Sequence, residues 1–493
     1  MNNLKIRKHD MSLILFLMIL FGCSQSSPVS AESFSPGEEP ASYTDATAYT
    51  RPAFTSDNVY DSEAEIDAAA DSGTAGEVVV IADGTYTDFN RTFAGSGNAG
   101  SPLVIMAETP GGVIFEGRST ITVTGDYVVL EGFLFQNGYP ADSKGALILS
   151  GDYNRITNCK IDSFNDSVKS ETYKWVSLDD DSRGNEVDHC TFTGKASEGA
   201  LLTIWRDADV INEHHIHHNL FKDFSYNSSD DDKDDSNGWE TIRLGTGTWS
   251  QYDSSTVVEY NLFSACNGEI EVISNKSGDN TYRYNTFYRN VGHLTLRQGT
   301  GCTIYQNYFD TGGIQSAGGI RVCDKNHTIE ENYIEGARFS SGTKVRGGIA
   351  FMAHYDPTAD DPDPLYREVT GVTVRNNSII NSMRSLVFGG GGNDSELQAP
   401  SDADFEGNLI RNNINGDGEY DLITVWYDRD MADRSFSGDV FYGSDLGITT
   451  PAGILTDKPS LSLNSHGQYM AADGSTGAPA LLYLTESDVG VNF

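Results

Sequence analysis

The chain has 493 residues, of which 33 are Lys or Arg and 71 are Asp or Glu, so its formal net charge is −38. A charge of this sign and size argues against nucleic acid as a partner, because a polyanion would be repelled. The hydrophobic fraction of 38% is ordinary for a globular protein, and the length is sufficient for one large domain.

The first element of the chain is an export signal. A charged amino-terminal region precedes the apolar run 11–21, which is too short to span a bilayer. The run ends in Leu-Phe-Gly-Cys, which resembles a bacterial lipobox. We therefore predict a signal peptide over 1–22 and a lipid on Cys23, which would be the only membrane contact of a protein in the periplasm or outer membrane. The alternative is ordinary cleavage after Ala31 and a secreted product.

Composition predicts the remaining boundaries. Residues 23–55 are rich in Ser, Pro, Glu and Thr, which is typical of a flexible tether. The folded domain is predicted over 56–493, with a short helix at 62–69 that caps the open end of a solenoid. From about residue 439 the chain becomes a weaker Gly/Ser-rich tail, which we expect to cover the far end.

A repeated motif predicts the fold. Short alternating segments end in Asn, any residue and a large apolar residue, and the asparagines Asn261, Asn285, Asn307 and Asn332 follow one another at steps of 24, 22 and 25 residues. Steps of this size with short strands in each repeat indicate an all-β, single-domain, right-handed parallel β-helix. The asparagines would stack at one corner as a ladder that bonds to the turn backbone.

Two other residue types occupy this repeat. Cys159 and Cys190 hold the ladder position in consecutive repeats, where a disulfide and buried thiols both remain possible. The four histidines of the segment 214–218 suggest a metal. Their alternation along a strand places them on both faces, however, which favours structural or groove-lining roles over zinc.

Charged residues concentrate between residues 269 and 297. Glu269 and Glu271 alternate with Ile270 and Val272, so a strand would send both carboxylates to one face. Adjacent carboxylates repel each other unless a cation lies between them, and Ca²⁺ is the usual hard cation with oxygen ligands.

Two basic residues follow this pair. Lys276 is on the same segment, and Arg297 comes about one repeat later. Because parallel strands are roughly 4.8 Å apart, residues one coil apart become side-chain neighbours. This grouping suits chemistry on an anionic substrate.

The segment Asn-Gly-Glu-Ile-Glu-Val-Ile-Ser-Asn-Lys-Ser, followed by Leu-Thr-Leu-Arg-Gln-Gly, resembles polysaccharide lyase family six, the alginate lyases and chondroitinase B. The pattern of that family is Glu-x-Glu, Lys five residues after the second Glu, and Arg twenty-one residues after the Lys. Glu271, Lys276 and Arg297 have this spacing. The resemblance covers most of the chain from about residue 56 and is strongest over 237–321.

The resemblance implies roles for individual residues. Asn237, Glu269 and Glu271 would hold Ca²⁺, Lys276 would be the catalytic base, and Arg297 the acid. Arg243 and Arg321 match substrate-binding arginines, and Gln298 stands where many relatives have His, which affects subsite contacts. From the sequence alone, Tyr355 is a candidate for stacking on sugar rings, with a core position as the alternative.

The implied reaction is β-elimination in a 4-linked uronate polysaccharide. The C5 proton becomes acidic only when the neighbouring carboxylate is neutralised, and Ca²⁺ would act as the Lewis acid. Neutral Lys276 would remove the proton, giving an unsaturated uronate at the new end. We expect a calcium-dependent alginate lyase, acting as a monomer on this anionic polysaccharide.

Three alternatives remain. A chondroitinase B-like dermatan sulfate lyase is less favoured, since no sulfate-sized basic cluster stands out around the motif. A mannuronan C5-epimerase would need a second proton donor on the opposite sugar face. A non-catalytic polysaccharide-binding lipoprotein need not keep Lys276 and Arg297 together.

Overall fold

The structure is a computed structural model. It describes residues 45, 48–166, 172–179, 181–225, 238–339, 345–355, 367–391, 400–412, 414, 421–426, 433–491 and 493, with the backbone of 35–36 and 397–398. The predicted signal peptide 1–22, the predicted lipidation site Cys23 and the predicted metal ligand Asn237 lie outside these residues. Among the described helices, none combines the length and the apolar character that a membrane crossing requires.

Three long parallel sheets form the body of the protein, and the chain visits them in turn, once per coil. The first sheet has 14 strands: Val59–Tyr60, Val78–Ile81, Leu103–Ala107, Val128–Glu131, Arg155–Thr157, Glu186–Asp188, His215–His217, Val257–Glu259, Thr281–Arg283, Thr303–Tyr305, Thr328–Glu330, Val372–Arg375, Ala403–Glu406 and Arg434–Ser437. The second has 14: Gly84–Thr87, Val113–Arg118, Phe133–Tyr139, Lys160–Asp162, Thr191–Thr193, Leu220–Ser225, Leu262–Asn267, Thr286–Tyr288, Tyr308–Asp310, Tyr333–Glu335, Ser378–Ile380, Leu409–Arg411, Asp439–Tyr442 and Ile454–Leu455.

The third sheet has 12 strands: Asn90–Phe93, Thr120–Val123, Leu147–Leu149, Val176–Leu178, Leu202–Ile204, Ile242–Leu244, Glu271–Lys276, Gly292–Gln298, Ala317–Val322, Ile349–Met352, Leu386–Gly390 and Ile423–Val425. Two small sheets contain Ser35–Pro36, Leu461–Leu463 and Tyr469–Ala471, and His354–Tyr355 with Leu397–Gln398. The helices are the α-helix Glu63–Ser72 and the 3₁₀ turns Ser56–Asn58 and Gly247–Trp249. The predicted all-β, right-handed parallel β-helix is confirmed.

One hydrophobic core runs along the inside of the coils. In-register parallel pairing places equivalent side chains of successive coils above one another, so rings can stack along the axis. The second sheet shows this most clearly. Its inward phenylalanines stack with centroids 4.5–5.3 Å apart, and they are Phe192, Phe221, Phe263, Phe287 and Phe309.

The predicted asparagine ladder forms the corner between the first and second sheets. Asn285 Oδ1 accepts hydrogen bonds from both the backbone N and the Nδ2 of Asn261, each at 3.0 Å, and its own Nδ2 donates to Val258 O. The preceding residue takes the left-handed conformation, as with Tyr284 at φ 56°. Each amide therefore satisfies buried backbone groups that the sharp turn leaves without strand partners.

Thiols occupy the same ladder in two earlier coils. The structure has Cys159 and Cys190 as free, buried cysteines, like Cys266, Cys302 and Cys323. The backbone N of Cys159 donates to Cys190 Sγ at 3.4 Å, so the sulfur substitutes for the amide oxygen as the acceptor. Of the two possibilities left open by the sequence, the structure has buried thiols.

The amino-terminal end of the solenoid is capped as predicted. The helix Glu63–Ser72 packs on the first strands, and it buries Ile66 and Ala70 in the core. Ser62 caps this helix, since its side chain accepts a hydrogen bond from Glu65 N.

The first part of the carboxy-terminal tail covers the far end: Leu422 N and Ile423 N, at the start of the last third-sheet strand, donate to Asp445 O and Leu446 O, and Ile454 lies in the core. The rest of the tail runs back along the outer face of the second sheet, where Leu484 N donates to Thr286 Oγ1 and Gly490 N donates to His218 O. The physical reason is that this face carries apolar side chains such as Leu220 and Leu262, which the tail removes from water.

Candidate active site

Four neighbouring strands of the third sheet carry the predicted site: Ile242–Leu244, Glu271–Lys276, Gly292–Gln298 and Ala317–Val322. Their register aligns Arg243 with Ser274, Thr295 and Arg321 in one row. The flanking residues of both arginines belong to the core, so the arginines point outward. Three strand spacings separate them, about 14 Å between Cα atoms.

Glu271 is the centre of the ion pairs at this site. Its Oε1 accepts a hydrogen bond from Arg321 at 2.7 Å and another from Arg297 at 3.1 Å. Burial opposes the ionisation of Glu271, but Arg321 and then Arg297 outweigh it and hold the pKa of the carboxyl below its usual value. Glu271 is therefore an anion that holds two guanidinium groups side by side.

Glu269 has the opposite electrostatic environment. It is 3% exposed, and burial, followed by repulsion from Glu240 and Glu271, raises its pKa to about 9. Its Oε1 accepts from the backbone N of Trp239 at 3.1 Å. Glu269 therefore favours its protonated form, and a cation bound beside these carboxylates would instead favour the ionised form.

Glu240 is a residue that the sequence analysis missed. It is 1% exposed, and its Oε2 has no hydrogen-bond partner among the described residues. Glu240 lies three residues before Arg243, on the coil before Glu269, but the insertion in that 42-residue coil breaks the regular spacing that would have identified it. A buried, unsatisfied carboxylate oxygen beside two other carboxylates fits a hard divalent cation with oxygen ligands.

Lys276 and Arg297 lie on adjacent strands. The register pairs Lys276 with Gln298, the residue after Arg297. The charge of Lys276 also acts on Glu271, and its side chain is half-buried at the end of the strand. The structure thus brings together Glu271, Lys276 and Arg297, as the spacing predicted, and adds Arg321, which only the family resemblance had implied.

Two predicted substrate residues lie at the edges of this cluster. Gln298 is buried, with its Oε1 against Gly247 at the start of a 3₁₀ turn. Tyr355 is half-buried and follows the strand Ile349–Met352, two strands along the sheet from Arg297. It is therefore placed for a distant part of the groove and not for the reacting sugar.

Arg243 extends the positive surface towards the earlier coils, on the side of the site opposite to Tyr355. Its guanidinium lies over the Trp205 ring, with Cζ 5.3 Å from the centroid, and the Nζ of Lys174 lies 5.1 Å from the same ring. Burial and then Arg243 lower the pKa of Lys174. Lys174 and Trp205 belong to earlier coils and were not predicted from the sequence.

These cations share the outer face of the third sheet in a chain of net charge −38. They are Lys174, Arg243, Lys276, Arg297 and Arg321. A row of this kind can hold a polyanion, and the central base, guanidinium groups and carboxylates can support removal of a proton next to a substrate carboxylate.

Comparisons with known proteins agree with this geometry. The family model for chondroitinase B matches residues 60–477. A search of curated protein sequences finds no match.

Solved structures of family-six lyases are similar to this chain. The alginate lyase AlyGC is 28% identical, with a TM-score of 0.78 over 88% of this chain. The chain spans 58% of AlyGC. A family-six alginate lyase in complex with a trisaccharide is 25% identical, with a TM-score of 0.75 over 89% of this chain and 96% of its own. A mannuronic acid-specific family-six lyase from human gut microbiota is 29% identical, with a TM-score of 0.68 over 80% and 89% of the two chains.

Proposed function

The chain belongs to the chondroitinase B family, polysaccharide lyase family six, and from that premise we propose that it is a calcium-dependent alginate lyase. The single observation that carries the proposal is the arrangement around Glu271, which holds Arg297 and Arg321 beside Lys276. A base next to paired guanidinium groups suits elimination from a uronate.

Calcium is proposed because three buried carboxylates, those of Glu240, Glu269 and Glu271, lie together in what we call the carboxylate pocket. Glu240, Glu269 and Glu271 are all buried, and Glu240 and Glu271 are close enough to Glu269 for their repulsion to raise its pKa. They would hold the ion, together with Asn237, whose place in the site remains part of the proposal. When bound, Ca²⁺ supplies positive charge that neutralises the substrate carboxylate and makes the C5 proton more acidic.

The chain's own residues would then carry the reaction. Lys276, as the neutral amine, takes the C5 proton, and the released electron pair forms the C4–C5 double bond while the C4–O4 bond breaks. Arg297 stabilises the departing oxygen, which takes its proton from Arg297 or through water. Arg321, held by Glu271 and 2% exposed, keeps a fixed positive charge beside the substrate.

The wider groove supports an extended substrate. Arg243 and Lys174 flank Trp205 on one side of the reacting centre, so an indole face and two cations are available for a neighbouring uronate. Alginate is proposed over dermatan sulfate because each uronate of alginate carries one negative charge and needs one positive partner. Dermatan sulfate carries sulfate groups in addition and needs denser clusters of basic residues. Gln298, Arg243 and Tyr355 are proposed as substrate contacts.

The proposal is tested by replacing the base. Lys276→Ala should reduce kcat about 10²–10⁴-fold while KM for alginate changes little, because the amine acts only when the proton moves. Lys276→Arg separates the loss of a base from the loss of a long basic side chain. Arginine stays protonated near neutral pH and cannot accept the proton, so this variant should be as slow as Lys276→Ala. Normal kcat in either variant would remove Lys276 from this role.

We also propose that the mature protein is a monomer anchored by a lipid on Cys23. A Cys23→Ser variant should move from the membrane fraction to the soluble fraction of the producing cell. If the variant stays with the membranes, the lipid is not the anchor.

A further inference from the structure

A histidine cluster lies at the corner between the first and second sheets, across the solenoid from the third sheet. His189 and His218 occupy equivalent left-handed positions in successive coils, with φ of 50° and 55°. Their rings are parallel within 2°, with centroids 5.0 Å apart. Both rings direct Nε2 at Asp45, which comes from the amino-terminal segment.

The three side chains have the spacing of a metal-binding set. Asp45 Oδ2 is 2.5 Å from His189 Nε2, and Asp45 Oδ1 is 3.7 Å from His218 Nε2. One oxygen and two imidazole nitrogens thus fall within 4.8 Å of one another. Zn²⁺ takes ligands of this kind at about 2.0–2.2 Å, so small side-chain rotations would bring all three to one ion.

The outer neighbours orient both imidazoles as metal ligands. His189 Nδ1 bonds to Asp188 Oδ2 at 2.5 Å, and Asp188 is fully buried and also accepts from Arg155. A carboxylate that accepts from Nδ1–H leaves Nε2 to bind the metal, and zinc-binding histidines are usually oriented by such a carboxylate.

His218 is oriented by a second histidine. His217 Nε2 is 2.7 Å from Glu186 Oε1, and a carboxylate only accepts, so His217 carries its proton on Nε2. His217 Nδ1 lies 2.7 Å from His218 Nδ1, so a hydrogen bond between the two rings fixes the orientation of His218. This orientation places His218 Nε2 opposite Asp45, 3.7 Å from Oδ1.

Two imidazole nitrogens and a carboxylate oxygen that face one another in this way form a donor set for a positive ion.

A cavity of about 390 Å³ opens onto Asp45 and His189 of this cluster. It is lined by Asp45, Tyr49, Asn158 and His189 on one side and by residues 487–490 of the tail on the other. An ion can reach the cluster through this space, and a water molecule can fill a fourth coordination position.

We propose that Asp45, His189 and His218 bind a divalent transition metal ion of the zinc class, with a cavity water as the fourth ligand. The ion would displace the Nε2 proton of His189 and fasten the amino-terminal segment to the corner of the solenoid. The interpretation of the 214–218 histidines as structural holds for His214, which accepts from Asn185 N, but His218 becomes a ligand.

The test is Zn²⁺ titration of chelator-treated, full-length protein by calorimetry, with Ca²⁺ in excess so that the carboxylate pocket is occupied. One Zn²⁺ per chain is expected, together with a rise in Tm and, on substitution by Co²⁺, visible absorption bands of a tetrahedral site. Asp45→Asn and His218→Gln should each weaken Zn²⁺ binding at least tenfold. Asp57→Asn, an exposed acid of the same segment, is the matched control and should bind normally.

Three results would overturn the proposal. The first is wild-type protein that takes up no Zn²⁺. The second is unchanged affinity in both Asp45→Asn and His218→Gln, since Asp45 lies outside the coils and its amide variant keeps the fold. The third is loss of binding in His215→Gln with retention in Asp45→Asn, which would place the ion on Glu186, His215 and His217 instead.

Discussion

Replacing Glu271 by Gln would remove the charge that holds two arginines while nearly preserving side-chain volume. Oε1 of Glu271 accepts from Arg321 and Arg297, and hydrogen bonds to charged groups contribute about 1.5–3 kcal/mol against about 0.5–1.5 for neutral ones. The loss over two bonds is therefore about 2–3 kcal/mol. If this stabilisation is lost from the transition state, kcat/KM should decrease roughly 30- to 160-fold, at 1.36 kcal/mol per tenfold change.

The assay is the initial rate of unsaturated-uronate formation on alginate at saturating Ca²⁺, which separates the arginine effect from weakened metal binding. Glu330→Gln is the matched control, because Glu330 pairs with Arg375 on the first sheet, away from the site. It should leave kcat/KM unchanged. Activity of Glu271→Gln within twofold of wild type would refute the role of Glu271 in positioning the arginines.

Chelation of divalent cations should abolish most lyase activity, because Glu240, Glu269 and Glu271 then lack their counter-charge. Added Ca²⁺ should restore the activity. A full rate after exhaustive chelation would exclude a role for the metal. A pH-dependent prediction concerns Glu259, on the first sheet. Burial opposes its ionisation, but hydrogen bonds from His215 and Arg283 lower its pKa to about 2 from 4.5. The ionised carboxylate therefore stabilises the fold above pH 4.5, and this contribution is lost as the pH falls towards 2. Glu259→Gln should lower the free energy of unfolding in urea by up to about 3 kcal/mol at pH 7 and by little near pH 2; an equal loss at both pH values would contradict the assignment.

The fold could be predicted because a parallel β-helix repeats its corner in the sequence. Asn261, Asn285 and Asn307 each occupy the same turn, so their steps of 24 and 22 residues measure one coil directly. The central site followed from the same regularity. Lys276 shares a strand with Glu271, and one coil later the register brings in Arg297.

Other parts of the site could not be predicted from spacing. Glu240 and Lys174 come from coils interrupted by long insertions, as in the step of 42 residues between Asn219 and Asn261. A single charged residue in such a coil has the pattern of a solvated face, and only its burial in three dimensions distinguishes it.

Contacts between segments that are far apart in the sequence produce no local sequence pattern. Asp45 belongs to the segment predicted as a tether, yet it meets His189, 144 residues away. The path of the tail beyond the far end could not be predicted for a related reason. Its Gly/Ser-rich composition indicates irregular structure but carries no information about which apolar face it covers.

The central claim is that this chain eliminates uronate from alginate, and one measurement tests it directly. Purified protein with Ca²⁺ is mixed with alginate, polymannuronate, polyguluronate or dermatan sulfate, and the ultraviolet absorbance of the unsaturated uronate is followed. We predict that absorbance rises on alginate and on at least one of its two homopolymers, with dermatan sulfate cleaved more slowly or not at all. No rise on any uronate polymer would contradict lyase activity, and faster cleavage of dermatan sulfate would contradict the substrate assignment.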